Sequence, residues 1–144
     1  MEKMDRETLA QILTRRRARI DESLADSITG LPVLFTEVRE DMKVLFTLTP
    51  EHWMRNPGGV MHGGIICSAM DNAMGYVVGA YFNKLCPTVN MQVDFIRPVS
   101  LEMPSIFCVE ALTLGQTLAR LRVTMWQTSE EKPCASGVGL YFTK

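Results

Sequence analysis

The sequence predicts an α+β fold in which one antiparallel β-sheet curls around a single long central helix, with an extra helix at the N-terminus. Three observations carry that prediction. From Gly63 to Phe82, the residues Ile65, Ile66, Ala69, Met70, Ala73, Met74, Val77, Val78 and Tyr81 fall in adjacent columns that repeat every four residues, which marks a helix with a broad apolar face. After Pro87 the period becomes two, with Val89, Met91, Val93 and Phe95 alternating with Thr88, Asn90, Gln92 and Asp94. The connections between strand-like runs are short, which requires antiparallel neighbours rather than parallel crossovers.

Each element has its own signal. Residues 4–28 read as an amphipathic helix, with Leu9, Ile12, Leu13, Ile20 and Leu24 at roughly helical spacing and Gly30-Leu31-Pro32 ending it. Arg15, Arg16, Arg17 and Arg19 crowd its middle, but residues 1–28 hold six basic and six acidic side chains, so a solvated face is expected, with contact to a nucleotide's phosphates as the alternative. The runs Val33–Val38 and Val44–Leu48 flank Glu40-Asp41 and form a β-hairpin, and Pro50 to Gly59 is a loop. The helix from Gly63 carries Ser68, Asp71, Asn72, Gly75 and Gly79 on its other side, which argues for a buried helix rather than a membrane span. Strands follow at 104–114, 118–128 and 134–142, joined by hairpin-like turns at Gly115-Gln116 and Ser129–Pro133. The chain therefore divides into an N-terminal helical extension, 1–30, and one domain, 31–144.

Composition narrows the function. A chain of 144 residues and 16.2 kDa is one domain's length, enough to bury roughly 68–70% of the surface its unfolded form exposes. Fifteen Lys and Arg balance sixteen Asp and Glu for a net charge of -1, so neither nucleic acid nor an anionic membrane is an expected partner. Cys67, Cys86, Cys108 and Cys134 are scattered without a Cys-x-x-Cys pair or a nearby His, which predicts free thiols and no metal site. The opening MEKMDRET is too charged for a signal peptide, and a cytoplasmic chain is expected. Ten Met against two His leaves few conventional acid–base groups.

The stretch Asn56-Pro-Gly-Gly-Val-Met-His62-Gly63-Gly64, running into the central helix, is the most informative. Glycines at a helix start admit a ligand to the unpaired N–H groups of the first turn, the geometry of an oxyanion hole, although they would equally serve a tight loop-to-helix junction. Asp71 lies eight residues past Gly63, about 12 Å along the axis at ~1.5 Å per residue. One chain cannot bring both to one carbonyl. Either Asp71 is an unrelated buried carboxylate, or the site lies between two chains related by a two-fold axis, with small residues such as Ser68, Gly75 and Gly79 admitting the close approach.

The run Asn56-x5-His62-Gly-Gly-x6-Asp71, with Thr88–Pro98 and the Gly115-Gln-Thr-Leu-Ala119 turn, resembles the hotdog-fold thioesterases of the phenylacetic-acid-pathway and 4-hydroxybenzoyl-CoA type over roughly residues 33–142. The resemblance implies a hotdog fold and hydrolysis of an acyl-CoA thioester without cofactor or metal, by a homodimer or a homotetramer with sites at the dimer interface. It assigns the N–H of Gly63 to polarising the thioester carbonyl, and Asp71 of the facing subunit to general base or nucleophile. Asn56 and Thr88 match residues that position the thioester or the water, and His62 matches the motif His that orients the loop. Gly64 and Arg97 join them as candidate substrate contacts, Arg97 being one of four basic residues, with Lys84, Arg120 and Arg122, that either meet the phosphates of CoA or form a solvated surface. Met61, Met70, Met74 and Met91 suggest an adaptable apolar acyl tunnel, with ordinary core packing as the alternative. A non-catalytic acyl-CoA sensor or carrier is the alternative function, and a hotdog dehydratase or hydratase ranks below both.

Overall fold

A helix that is apolar over most of its circumference must be covered on most sides, and the arrangement of the other elements follows from that need. The structure, a computed structural model, describes residues 3–17 and 26–144. Helix α1 spans Arg6–Arg17; strands β1 (Val33–Val38) and β2 (Val44–Leu48) precede helix α2 (Gly63–Phe82); and strands β3 (Thr88–Phe95), β4 (Ser105–Leu114), β5 (Leu118–Trp126) and β6 (Ala135–Phe142) follow it. The six strands form one sheet in the order β1-β2-β4-β5-β6-β3, antiparallel at every pairing. Helix α2 contacts all six, so the sheet wraps it as the alternation and short turns predict. This is the hotdog fold.

The close seating of α2 depends on its Met side chains meeting glycines. Met70 and Met74 are fully buried, and a β-carbon at Gly139 would stand 3.0 Å from the Met74 Cε. One at Gly137 would stand 3.5 Å from the Met70 Sδ. Two thioethers thus occupy the inward-facing space that the glycines of β6 leave vacant. The helix ends at Asn83, which takes the left-handed conformation with φ 51°.

The N-terminal helix is shorter than the pattern predicts. Asp5 caps α1, its carboxylate accepting from the Thr8 N–H at 2.8 Å and the Thr8 hydroxyl at 2.9 Å, so the helix begins at Arg6 rather than at residue 4. Residues 18–25, with Arg19, Ile20 and Leu24 of the expected helix, lie outside the described residues. Ile28–Gly30 form a single 3-10 turn instead of a helix end, and the Asn72 side-chain amide donates to the Ile28 carbonyl at 2.8 Å. Leu9 and Leu13 are buried in the same core as α2. The guanidinium of Arg16 lies over Gly79, where any β-carbon would collide with it. Gly79 therefore serves the crossing of α1 within one chain, a correction to its expected use in admitting a second chain.

Strand β3 is hydrogen-bonded on one side only among the described residues, and it leaves Val89 and Phe95 more than half exposed. No helix among the described residues is long and apolar enough to cross a membrane. The four cysteines are free thiols, with Cys86, Cys108 and Cys134 buried, and burial pushes the Cys108 thiol up to about 11.

Because Leu9 is fully buried on α1, the helix that packs against α2 and β1, truncating it opens a cavity under that helix. Leu9→Ala is expected to lower unfolding stability by about 2–5 kcal/mol in urea titration. A change within about 0.5 kcal/mol, the range of surface substitutions, would show that α1 is only loosely attached.

Candidate active site

The first turn of a helix carries N–H groups without partners in the helix, and in α2 these groups lie where the loop before it meets the sheet. The loop before α2 is held firmly, with the His62 N–H donating to the Met54 carbonyl at 2.7 Å and the Met61 N–H to the Val99 carbonyl at 2.9 Å. His62 is the N-cap, its Nδ1 accepting from the Gly64 N–H at 2.9 Å while its carbonyl takes the N–H groups of Ile65 and Ile66. A β-carbon at Gly64 would stand 3.0 Å from that Nδ1, so the glycine makes room for the cap. One donor is left over. Among the described residues, the Gly63 N–H meets no acceptor.

Gly63 lines a cavity of about 300 Å³ with Asn56, Met61, Ile66, Phe95 and Arg97. The Phe95 ring lies against it so closely that a β-carbon at Gly63 would stand 3.2 Å from the ring. Asn56 closes the turn before the helix, its N–H donating to the Val60 carbonyl at 2.7 Å and its Oδ1 accepting the Val60 N–H at 3.2 Å. Its side-chain nitrogen has no partner among the described residues. Arg97 Nη1 donates to the Pro133 carbonyl at 2.6 Å, which holds the guanidinium at the cavity's rim.

Asp71 faces a separate, larger cavity of about 820 Å³, walled by Ile12, Arg15 and Arg16 of α1 and by Gly75, Lys84 and Thr88. Its Oδ1 accepts two hydroxyls, Thr88 Oγ1 at 2.7 Å and the Tyr141 phenol at 2.9 Å. Its Oδ2 has no partner among the described residues, yet it is not a buried unsatisfied atom, so it opens to the cavity. Burial and the neighbouring Asp71 charge push the Tyr141 phenol well above its ordinary range, which keeps it a proton donor.

The two cavities share no lining residue, and helix geometry sets Gly63 and Asp71 about 12 Å apart along the axis. The structure thus gathers Asn56, Gly63 and Arg97 at one end of α2, beside His62 and Gly64, and Asp71 with Thr88 towards the other. Met70 and Met74, expected on an acyl tunnel, are fully buried against β6 and line neither cavity, whereas Met61 lines the smaller one. Sequence reasoning passed over Tyr141 and Phe95. The signal for Tyr141 was its register: Ala135, Gly137, Gly139 and Tyr141 share the inward face of β6, and an inward Tyr needs a partner for its hydroxyl.

The sequence profile of the thioesterase superfamily matches residues 58–134. No match is found among curated proteins. The fold is similar to that of the Escherichia coli PaaI protein from the phenylacetic acid degradation operon, with TM-score 0.79 and 17% identity over 96% of this chain and 94% of that one. It is similar to zebrafish thioesterase superfamily member 2, with TM-score 0.75 and 19% identity over 99% and 100%. A Streptococcus mutans protein solved with acetyl-CoA bound matches with TM-score 0.69 and 18% identity over 78% and 88%.

The cap at His62 has a measurable consequence. His62→Ala is expected to lower thermal stability by about 1 kcal/mol, and His62→Asn, which restores a preferred capping side chain, to recover most of it. Equal stability of the Ala variant and the parent would contradict the capping role.

Proposed function

The chain belongs to the thioesterase superfamily, and we propose on that premise that it hydrolyses acyl-CoA thioesters to the free acid and coenzyme A. The observation that carries the proposal is the division of α2, with an unclaimed N–H at Gly63 and a half-satisfied carboxylate at Asp71. An oxyanion needs the first, and a water attacking a carbonyl needs the second. The Streptococcus mutans neighbour with acetyl-CoA bound supports coenzyme A as the carrier.

Strand β3 suggests how two chains complete one site. Asp71 is tied to Thr88 at the start of β3, and Gly63 lies under Phe95 at its end. If two copies pair their free β3 edges antiparallel about a two-fold axis, Thr88 of one faces Phe95 of the partner subunit. Asp71 then meets the Gly63 of the partner subunit, and the exposed Val89 and Phe95 are covered. Residues 31–144 are the hotdog domain of this assembly, a homodimer or a homotetramer of two such pairs, and residues 1–30 are its extension, with α1 walling the Asp71 cavity.

In this reading the Gly63 N–H polarises the thioester carbonyl and takes up charge as it becomes an oxyanion. Oδ2 of Asp71 removes a proton from water as the water oxygen bonds to the carbonyl carbon. The C–S bond then breaks, and the CoA thiolate leaves and is protonated. Attack by Oδ2 itself, with water cleaving the resulting anhydride, uses the same atoms. The free Asn56 amide nitrogen positions the thioester or the water. The Thr88 hydroxyl already donates its hydrogen bond to Asp71, so it assists a water only by accepting from it. His62 acts through the cap, and Gly64 and Arg97 border the entering thioester.

Release of free thiol from a panel of acyl-CoAs of differing chain length and aryl character tests the proposal. Asp71→Asn is expected to lower turnover at least ~10²-fold while the assembly stays folded by sizing. Near-parental turnover of that variant would overturn the assignment. Tight acyl-CoA binding without thiol release by the parent would favour a sensor.

A further inference from the structure

Tyr141 is 1% exposed, and its ring is fixed on β6, where a β-carbon at Gly139 would strike it. Its hydroxyl donates to the Asp71 Oδ1 at 2.9 Å, with the Asp71 backbone carbonyl a longer contact at 3.4 Å. Thr88, the cross-strand partner of Tyr141 in the β3–β6 pairing, delivers the second hydroxyl to the same oxygen at 2.7 Å. Two neighbouring strands therefore aim both donors at one lone-pair-bearing atom of a helix side chain. The other oxygen is left open to the cavity. A carboxylate needing only a hydrogen-bond partner for burial could share its donors between its oxygens, and here they are not shared.

We propose that Tyr141 is a positioning residue that holds the Asp71 carboxylate in the rotamer presenting Oδ2 to the reacting water. The inference rests on Asp71 being the base of the proposed hydrolysis. Because its phenol stays protonated through the working range, Tyr141 donates and takes no proton itself.

Tyr141→Phe removes the hydroxyl and keeps the ring. It is expected to lower kcat about tenfold with KM unchanged, since the carboxylate loses one of the two donors that fix its rotamer. In the Asp71→Asn background the same substitution is expected to change neither parameter further. Replacing Tyr141 by 3-fluorotyrosine, whose more acidic phenol is a stronger donor to the same oxygen, is expected to alter kcat with KM unchanged, and this measurement stands if the Phe variant does not fold. If Asp71→Asn is inactive while Tyr141→Phe and the fluorotyrosine protein both keep the parental kcat, the positioning role is overturned and the proposed hydrolysis stands. If Asp71→Asn retains turnover, the reading of Asp71 as base fails first and takes this inference with it.

Discussion

The rise of an α-helix is the constraint on which this structure turns. Gly63 and Asp71 sit on one rigid rod, eight residues apart, and no side-chain rotation closes the resulting gap of about 12 Å. The rod cannot bend to help, because the sheet packs around it and Met70 and Met74 are seated against the glycines of β6. An N–H suited to an oxyanion and a carboxylate suited to a base are thus held apart within each chain, in cavities with no lining residue in common. The edge of β3, unpaired among the described residues, touches the Asp71 region at one end and the Gly63 region at the other, and the proposed pairing brings two such rods together there.

A carboxylate in the middle of an apolar helix is costly unless its hydrogen bonds are met. The fold meets half of that need. Thr88 and Tyr141 satisfy Oδ1, and the open cavity leaves Oδ2 to solvent or ligand. At the other end, His62 and its carbonyl satisfy three N–H groups of the first turn and leave that of Gly63. At Asp71 and at the start of the helix the same pattern recurs, with one polar group left unengaged at each among the described residues. Structural need alone accounts for the engaged groups, and the two remaining ones are those that thioester hydrolysis would use.

Much of this was legible from residue patterns. The boundaries of β1, β2 and α2 follow from Val33–Val38, Val44–Leu48 and Gly63–Phe82 as read, because hydrophobic period and the flanking turn residues agree there. The later strands fall within one or two residues of expectation. The first helix was over-extended, since the Asp5 cap and the turn at Ile28–Gly30 override its apolar spacing. Gly79 was misread because its neighbour Arg16 comes from sixty-three positions earlier in the chain, a packing relation that no local spacing encodes. The convergence of Tyr141 with Thr88 on Asp71 was hidden for a similar reason, as it depends on the β3–β6 register across a long stretch of sequence.

The central claim is that one site is built from two chains, and subunit complementation tests it most directly. Asp71→Asn and Gly63→Val, each inactive alone, would be coexpressed so that mixed pairs form. In a mixed pair, Asp71 of the Gly63→Val chain faces the intact Gly63 of the other, and one of the two sites is whole. Random pairing then restores about a quarter of the parental thioesterase activity. A coexpressed protein no more active than either variant alone, with mixed pairs demonstrated by mass, would contradict the shared site.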